Sequence, residues 1–236
     1  MKIAYITGAA RGIGKKIAEE FSVLGYSLAL FDKDKCTEKY SYIVDVGNYS
    51  AFKNTLEKAR NEVGVPTVLV NNAGFGGPFH LATEVSEAEW DLVMNTNLKS
   101  VFCATSWALP LMAKNKFGRI INIASIQGIF GAVRSSTYST SKHAMIGYTR
   151  SVAAEWGQHG ITCNAVLPGY INTAMGAQDS AIDDHTIKVI ARTPTRKIGE
   201  LIDVARVVTS LASSESSYVN GALWTVDGGI SADVGI

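Results

Sequence analysis

The sequence is poor in cysteine and proline and has almost no excess charge. It contains three cysteines and five prolines in 236 residues, and its formal net charge is +1 at pH 7. Three widely spaced cysteines argue against a disulfide framework and fit buried small side chains in a reducing compartment. A balanced charge gives no overall field that would attract nucleic acid or an anionic membrane, so we expect neither as a partner.

Long apolar runs are also missing. No stretch approaches the roughly 20 consecutive apolar residues that a membrane-spanning helix needs. Glycines interrupt the apolar run within residues 1–14, which therefore does not resemble a signal peptide, and we expect a cytoplasmic protein. The four histidines have no metal-ligand spacing, so no catalytic metal is expected. With 47% hydrophobic and 18% charged residues, the chain is predicted to fold around a sizeable core.

Short apolar runs alternate with segments of helical spacing along the chain. The runs that predict strands are Ile3–Thr7, Ser27–Phe31, Tyr42–Val46, Thr67–Val70, Arg119–Ala124, Ile161–Leu167 and Ala222–Val226. Helical spacing covers Ile13–Leu24, Ala51–Val63, Trp90–Lys114, Ser136–Trp156 and Leu201–Ser213. Near-continuous apolar strands alternating with helices predict an α/β fold, a Rossmann-like, doubly wound parallel sheet flanked by helices, in one domain over 1–236.

Two connections depart from this alternation. The link from Asp32 to Ser41 is too short for a helix and its turns, so this crossover is predicted to be abbreviated. The stretch Thr173–Lys197 has the weakest pattern and is predicted to be a mobile loop or lid.

A glycine-rich turn joins the first strand to the first helix. It contains Gly8, Arg11, Gly12, Ile13 and Gly14. Glycines there let the backbone approach a pyrophosphate, and a helix N-terminus offers free N–H groups, although any tight strand-to-helix turn can use such a trio. The segment predicts a dinucleotide-binding catalytic domain.

Asp32 and Arg11 give opposing signals about the cofactor. Asp32 ends the second strand 18 residues after Gly14, where a carboxylate accepts hydrogen bonds from ribose hydroxyls and repels a 2′-phosphate. Arg11 would instead pair with a 2′-phosphate. The alternative for Asp32 is a solvated loop acid. Because Asp32 stands directly at the hydroxyls, we expect NAD rather than NADP.

Tyr138 and Lys142 are the candidate reacting pair. They stand four residues apart at the start of a predicted helix, so their side chains share one face. Lowering the tyrosine pKa from about 10 to 7 takes about 4 kcal/mol. An ammonium about 4 Å away supplies about that much at an effective dielectric of 20. Such pairs also occur on ordinary helix surfaces, so the spacing alone does not establish catalysis.

Two further side chains are expected in the same crevice. Ser125 follows the strand Arg119–Ala124, and the strand ends of such sheets form the ligand crevice. Its hydroxyl is suited to hold a substrate carbonyl oxygen. Asn97 carries an amide that we expect to fix a water linking Lys142 to solvent.

These segments, in this order, resemble the short-chain dehydrogenase/reductase (SDR) family nearly from end to end. The matching motifs are Thr7–Gly14, Asp45-Val46, Asn71-Asn72-Ala73-Gly74, Asn97, Ser125 placed 13 residues before Tyr138, Lys142, Pro168-Gly169 and Val226–Gly229. The resemblance implies four catalytic residues, Asn97, Ser125, Tyr138 and Lys142. It also implies cofactor contacts from Asp45, Val46, Asn72, Tyr138, Lys142, Ile171 and Thr173.

The resemblance further implies an oxidoreductase that moves a hydride between a nicotinamide and a secondary alcohol or ketone. Ser125 and Tyr138 would hold the carbonyl oxygen, Tyr138 would donate the proton, and Lys142 would also bind the nicotinamide ribose. A homotetramer is implied as well. The substrate pocket is predicted to be lined by Gln127, Phe130, Tyr170 and Met175, with Gln127 as a polar substrate contact.

Two other functions stay open at this point. One is a 3-oxoacyl-[acyl-carrier-protein] reductase that uses NADPH, because Gly160-Ile161-Thr162 and Pro168–Thr173 resemble segments of such enzymes. These enzymes bind the acidic carrier with two basic residues. Lys116 stands at the first of these positions, while His159, mostly neutral at pH 7, stands at the second. The other is a protein that senses NAD without turnover, which would have no need of four catalytic residues together.

Overall fold

A seven-stranded sheet organises residues 2–173 and 184–232, the part of the chain that this computed structural model describes. Its strands are β1 (Ile3–Thr7), β2 (Ser27–Asp32), β3 (Ser41–Ile43), β4 (Val68–Asn71), β5 (Gly118–Ile123), β6 (Ile161–Pro168) and β7 (Leu223–Val226). All neighbours pair in parallel, in the order β3-β2-β1-β4-β5-β6-β7. The predicted doubly wound parallel sheet is confirmed.

Helices cover both faces of the sheet. They are α1 (Gly12–Val23), α2 (Tyr49–Val63), α3 (Glu87–Met94), α4 (Ser100–Lys114), α5 (Ser136–Trp156), α6 (Asp184–Arg192) and α7 (Leu201–Ala212). One core packs α2, α4 and α5 against one face, and the other packs α1 and α7 against the opposite face. All residues of β1, β4, β5 and β6 are buried because both faces are covered, which explains their continuous apolar runs.

The connections differ partly from expectation. Residues 33–40 contain no helix, which confirms the abbreviated crossover between β2 and β3. The stretch Thr173–Lys197, predicted to be a mobile loop or lid, contains the short helix α6, in which Val189 is buried while Ile187 is exposed. Its residues 174–183, including the predicted pocket residue Met175, lie outside the described residues. Strand β3 ends at Ile43, so the predicted strand Tyr42–Val46 extends three residues too far.

A π-helical turn, Asn95–Lys99, joins α3 to α4 in one continuous helical path. Because π-helical turns widen the hydrogen-bond ring, they reorient the side chains within them. Asn97 sits in this turn and is fully buried. None of the helices among the described residues combines the length and apolar character needed to cross a membrane. The three cysteines are buried and unpaired, as expected from their spacing.

The strand order reverses between β1 and β4, and this reversal places the site. Chain connections leave β1 toward β2 on one side and β4 toward β5 on the other. Their loops therefore diverge and open a crevice beyond the carboxyl ends of the strands, where doubly wound sheets bind ligands.

Candidate active site

An open cleft of about 720 Å³ runs along the carboxyl edge of the sheet. It brings together most of the predicted site residues, namely Gly8, Arg11, Gly12, Ile13, Asp32, Val46, Asn72, Ser125, Tyr138, Lys142, Ile171 and Thr173. The glycine turn and Asp32 lie at one end, and the Ser125–Tyr138–Lys142 cluster lies at the other. Gly14, Asp45, Asn97 and Gln127 are not among the lining residues, and each has a specific structural reason.

The glycine turn is held in shape by Asn72. Its side-chain amide donates to the carbonyls of Thr7 and Gly8, each at 2.9 Å. Gly8 has a φ of +67°, and a Cβ there would come within 2.8 Å of the Ala73 Cα. A Cβ on Gly14 would lie 2.0 Å from the Gly8 carbonyl oxygen. Gly14 therefore lets α1 pack under the turn and does not itself line the cleft.

The N-terminus of α1 faces the cleft without a side-chain cap. Arg11 occupies the N-cap position and its side chain makes no capping hydrogen bond. The next residue, Gly12, has a φ of +56°, and a Cβ there would meet nothing within 4 Å. Uncapped N–H groups beside open space are a site for an anion such as a pyrophosphate. The residues present thus fit the phosphates of a dinucleotide.

Charged side chains at this end of the cleft are arranged in pairs. The Asp32 carboxylate accepts from the backbone N–H groups of Ala10 and Asp34 at 2.9 and 3.1 Å. Arg11 pairs with Asp34 at 3.0 Å, and Lys33 pairs with Asp45 at 3.1 Å. The Asp45 carboxylate is thus paired with Lys33, which lines the cleft, and the neighbour of Asp45, Val46, lines it as well.

Ser125 and Tyr138 meet at the other end of the cleft. Ser125 is carried there by β5, and Tyr138 by the first turn of α5. Their side chains lie within hydrogen-bonding reach of each other. Burial raises the pKa of Tyr138, and the hydrogen bond from Ser125 opposes that rise. The two hydroxyls converge as expected for a pair that holds one carbonyl oxygen.

Lys142 lies beside this pair, but its environment differs from the one that the sequence predicts. It is 3% exposed, and its Nζ donates to the Ile123 carbonyl oxygen at 2.7 Å. Burial lowers its pKa to about 7, because the ammonium loses its hydration. Its Nζ lies 5.5 Å from the centre of the Tyr138 ring. The predicted lowering of the Tyr138 pKa by this cation is therefore wrong for the structure as it stands, in which Tyr138 keeps its proton.

The Asn97 amide makes three hydrogen bonds within the protein. Its Oδ1 accepts from the Phe75 N–H at 2.7 Å, while its Nδ2 donates to the Phe75 carbonyl at 2.9 Å and to Ser141 Oγ at 3.1 Å. Both amide hydrogens are used inside the protein, and the oxygen accepts one of the two hydrogen bonds that it can take, so a water would have to bind at its remaining lone pair. Asn97 instead ties the loop after β4 to α5.

Gln127 is likewise held by the protein. Its Oε1 accepts from Ser135 Oγ at 2.8 Å and from Ser139 Oγ at 3.1 Å. It does not line the cleft. Two internal donors thus occupy the side-chain carbonyl oxygen of Gln127, the residue that sequence reasoning assigned to substrate contact.

Sequence reasoning missed Phe75 and Leu92, which line the cleft. Phe75 directly follows the Asn71-Asn72-Ala73-Gly74 motif, so its position after a motif of the cofactor site could have predicted that it lines the cleft. Leu92 lies on α3, whose approach to the cleft depends on tertiary packing.

The two candidate carrier-binding residues lie at the opposite edge of the sheet. Lys116 precedes β5 and His159 precedes β6, so both stand at the amino ends of these parallel strands. Their turns touch, because a Cβ on Gly160 would lie 2.2 Å from the Lys116 carbonyl oxygen. Within one chain they are therefore far from Ser125 and Tyr138.

Comparisons with known proteins all match the chain to dehydrogenases and reductases of one family. The family model of short-chain dehydrogenases described as enoyl-(acyl carrier protein) reductase matches residues 8–231. The chain is 34% identical to 3-oxoacyl-[acyl-carrier-protein] reductase FabG of Haemophilus influenzae over 97% of this chain and 98% of the relative. The aldohexose dehydrogenase AldT of Thermoplasma acidophilum matches with a TM-score of 0.92 and 33% identity, covering 100% of this chain and 96% of that one. The structure of ElxO with NADP bound matches with a TM-score of 0.89 and 30% identity over 98% and 99% of the two chains.

Proposed function

Because this chain belongs to the short-chain dehydrogenase/reductase family of NAD(P)-dependent oxidoreductases, we propose that it interconverts a secondary alcohol and a ketone at the Ser125–Tyr138–Lys142 cluster. The observation that carries this proposal is the convergence of Ser125 and Tyr138 beside the buried Lys142, at the end of a cleft whose other end suits a pyrophosphate. We also propose that 1–236 acts as one catalytic domain, since a single sheet carries both ends of this cleft.

The protein's own residues supply positioning and a proton. A bound nicotinamide supplies or accepts the hydride. Ser125 and Tyr138 bind the carbonyl oxygen of the substrate, where negative charge develops during reduction. Tyr138 then donates its proton to that oxygen, which is general acid catalysis. Lys142, with a pKa of about 7, can hold or release a proton near neutral pH and resupply Tyr138.

A substrate screen tests the proposal directly. NADH and NADPH oxidation are followed by absorbance with a panel of ketones, including a 3-oxoacyl thioester, and the reverse reaction is followed with secondary alcohols. Turnover that disappears in Tyr138→Phe supports the proposal. Tight cofactor binding without turnover on any compound would favour the cofactor-sensing alternative.

Replacing Ser125 with alanine is expected to lower kcat about 100-fold. The change removes one of two donors to the developing oxyanion, and such donors typically contribute this much. Steady-state kinetics measure the loss. Ser106→Ala is a matched control, because Ser106 is a hydroxyl on α4 that donates to the Cys103 carbonyl outside the cleft. An unchanged kcat in Ser125→Ala would remove Ser125 from the reaction.

The second candidate function, reduction of a carrier-bound 3-oxoacyl group, has support from the similarity to FabG. The placement of Lys116 and His159 weighs against carrier binding beside the cleft of the same chain. We propose a small-molecule carbonyl or alcohol as the substrate. Activity on a 3-oxoacyl carrier protein well above that on the matching small thioester would favour the carrier-bound substrate.

We propose NAD as the preferred cofactor. Three carboxylates, Asp32, Asp34 and Asp45, stand with two cations, Arg11 and Lys33, around the cleft end that carries Asp32. Each cation is already paired, so a 2′-phosphate would have to break an ion pair and also approach Asp32. The ElxO structure contains NADP, which favours the other choice by similarity. The charge arrangement of this chain is the reason for our preference.

Kinetics of Asp32→Ala with both cofactors test this preference. In the wild type, we expect kcat/KM to be at least about tenfold higher with NADH, because a like-charge contact costs on the order of 1 kcal/mol per pair even in water. Lost ribose hydrogen bonds to a charged acceptor add about 1.5–3 kcal/mol each. Asp32→Ala should narrow or reverse the gap, since Arg11 remains. A wild type that prefers NADPH would contradict the argument.

We propose a homotetramer. Phe102 on α4 and Trp224 on the edge strand β7 are large apolar side chains that remain 46% and 42% exposed, and we propose that each lies in one interface. Light scattering at micromolar concentration should give about four times the 25.2 kDa chain mass. Phe102→Glu and Trp224→Glu should each reduce the assembly to a dimer, because we propose a tetramer of D₂ symmetry in which the two residues lie in different two-fold interfaces. A monomeric wild type would contradict the proposal.

A further inference from the structure

A hydrogen-bonded tie joins the turn after Ser125 to the start of the helix that carries Tyr138. Ser125 Oγ accepts from the Gln127 N–H at 3.1 Å, so Gln127 is anchored to Ser125 through its backbone. Its side-chain carbonyl accepts from Ser135 and Ser139 at 2.8 and 3.1 Å. Ser139 is the chain neighbour of Tyr138.

The donors in this tie are buried and lie at the helix start. Ser135 precedes α5 as its N-cap residue and is 5% exposed, while Ser139 is 8% exposed. Neither hydroxyl is freely hydrated, so losing the acceptor would leave two buried donors unsatisfied. The tie therefore holds both the helix start and the Ser125 turn in one arrangement.

A glycine contact supports the same alignment. Gly128 ends the turn Ile126–Gly128, and a Cβ there would lie 3.1 Å from the Lys142 carbonyl oxygen and 2.7 Å from Ile146 Cδ1. The turn therefore rests directly on the α5 backbone one helical turn beyond Tyr138. Together, the Gly128 contact and the Gln127 hydrogen bonds fix the turn at two points of α5.

We propose that Gln127 is a positioning residue that sets the distance and orientation between the Ser125 and Tyr138 hydroxyls, and is not a substrate ligand. This inference rests on the proposed function of the two hydroxyls. Reactions that depend on two oriented groups are sensitive to displacements of less than 1 Å. Gln127 thus acts on the reaction through Ser125 and Tyr138 and makes no contact with the reacting atoms.

Two substitutions of similar size separate positioning from other roles. Gln127→Met keeps the length of the side chain but removes its acceptor, whereas Gln127→Glu keeps an acceptor for both serine hydroxyls. We expect kcat to fall at least about tenfold in Gln127→Met, with KM changing less than about threefold for two ketones of different size. At its own optimum pH, Gln127→Glu should recover kcat to within about threefold of the wild type.

The pH profile gives a readout that mere loss of folded protein would not change. The hydrogen bond from Ser125 lowers the pKa of Tyr138. Loosening it in Gln127→Met should raise that pKa, so the rising limb of alcohol oxidation moves to higher pH. The charged group facing the Tyr138 ring is Lys142, which no variant changes. A lower kcat with an unmoved limb would mean that the variant merely contains less active protein and would overturn the proposal.

A mutant cycle with the two serines tests the route of the effect. If Gln127 acts only through their hydroxyls, Ser135→Ala/Ser139→Ala should lower kcat about as much as Gln127→Met. The triple variant should then lie within about twofold of either parent. If the decreases in kcat multiply in the triple variant, Gln127 also acts by another route and the proposal is overturned. An increase in KM that depends on the ketone, with kcat unchanged, would show direct substrate contact and would overturn it as well.

Hydrogen exchange separates failure of this inference from failure of the proposed function. Amides in 125–139 should exchange at least about tenfold faster in Gln127→Met than in the wild type, with 3–31 unchanged as an internal control. If this occurs while the wild type has no oxidoreductase activity, the tie is real and the proposed function is wrong. If exchange in 125–139 is unchanged, the positioning role is wrong whatever the activity.

Discussion

Replacing Tyr138 with phenylalanine is expected to lower kcat about 10³–10⁴-fold and to leave cofactor binding within about twofold of the wild type. The substitution removes only the hydroxyl that meets Ser125 and donates the proton. The aromatic ring remains, so the shape of the cleft is kept. Burial holds the pKa of this hydroxyl above its ordinary value, so it enters carbonyl reduction as a protonated acid.

Two measurements decide this prediction. Steady-state kinetics give the loss in kcat, and fluorescence titration with NADH gives the cofactor affinity. Tyr218→Phe is the matched control, because Tyr218 is fully exposed at 101% and lies outside the cleft. Turnover of Tyr138→Phe within tenfold of the wild type would remove Tyr138 from the reaction, and a large loss of NADH affinity would indicate damage to the cofactor site.

Replacing Lys142 with methionine is expected to lower kcat about 10³-fold while making the protein more stable at pH 6. Lys142 is buried, and its Nζ partner is the Ile123 carbonyl and not a carboxylate. Below its pKa of about 7, the folded protein must hold an unpaired ammonium in its interior. Methionine fills similar volume without that charge. The lost hydrogen bond to Ile123 costs about 1–3 kcal/mol and limits the gain.

The sign of the pH dependence follows from this lowered pKa. Between about pH 7 and the ordinary lysine pKa of 10.5, the unfolded chain binds a proton that the folded chain does not. Lys142 therefore makes wild-type stability rise with pH across this window. Lys142→Met lacks that increase, so its advantage at pH 6 should be clearly smaller at pH 9.

Thermal unfolding at pH 6 and pH 9 provides the comparison, with Lys53→Met as the control because Lys53 is an exposed lysine on α2. The control should show the same pH dependence as the wild type. A lower unfolding temperature for Lys142→Met at pH 6 would contradict the argument that the buried ammonium is destabilising. Retained activity would show that Tyr138 does not need Lys142.

Much of this architecture was predictable because its causes are local. Apolar runs such as Ile3–Thr7 become buried strands because both sheet faces are covered by helices. Glycines at 8 and 12 adopt positive φ where the chain must turn sharply into α1. Parallel strands bring their carboxyl ends to one edge, so Asp32 and Ser125 could be placed in one cleft from the order of the elements alone.

The amino-acid sequence by itself determined the doubly wound sheet, the glycine turn and the convergence of Ser125 and Tyr138. Only the tertiary structure decided which partner each polar atom takes. Gln127 accepts from Ser135 and Ser139, and Asn97 holds the backbone of Phe75, where sequence reasoning expected a substrate and a water. Spacing along the chain brings a side chain to a region, but a hydrogen bond requires a donor and an acceptor within about 3 Å at a suitable angle. That geometry is set by how separate elements pack.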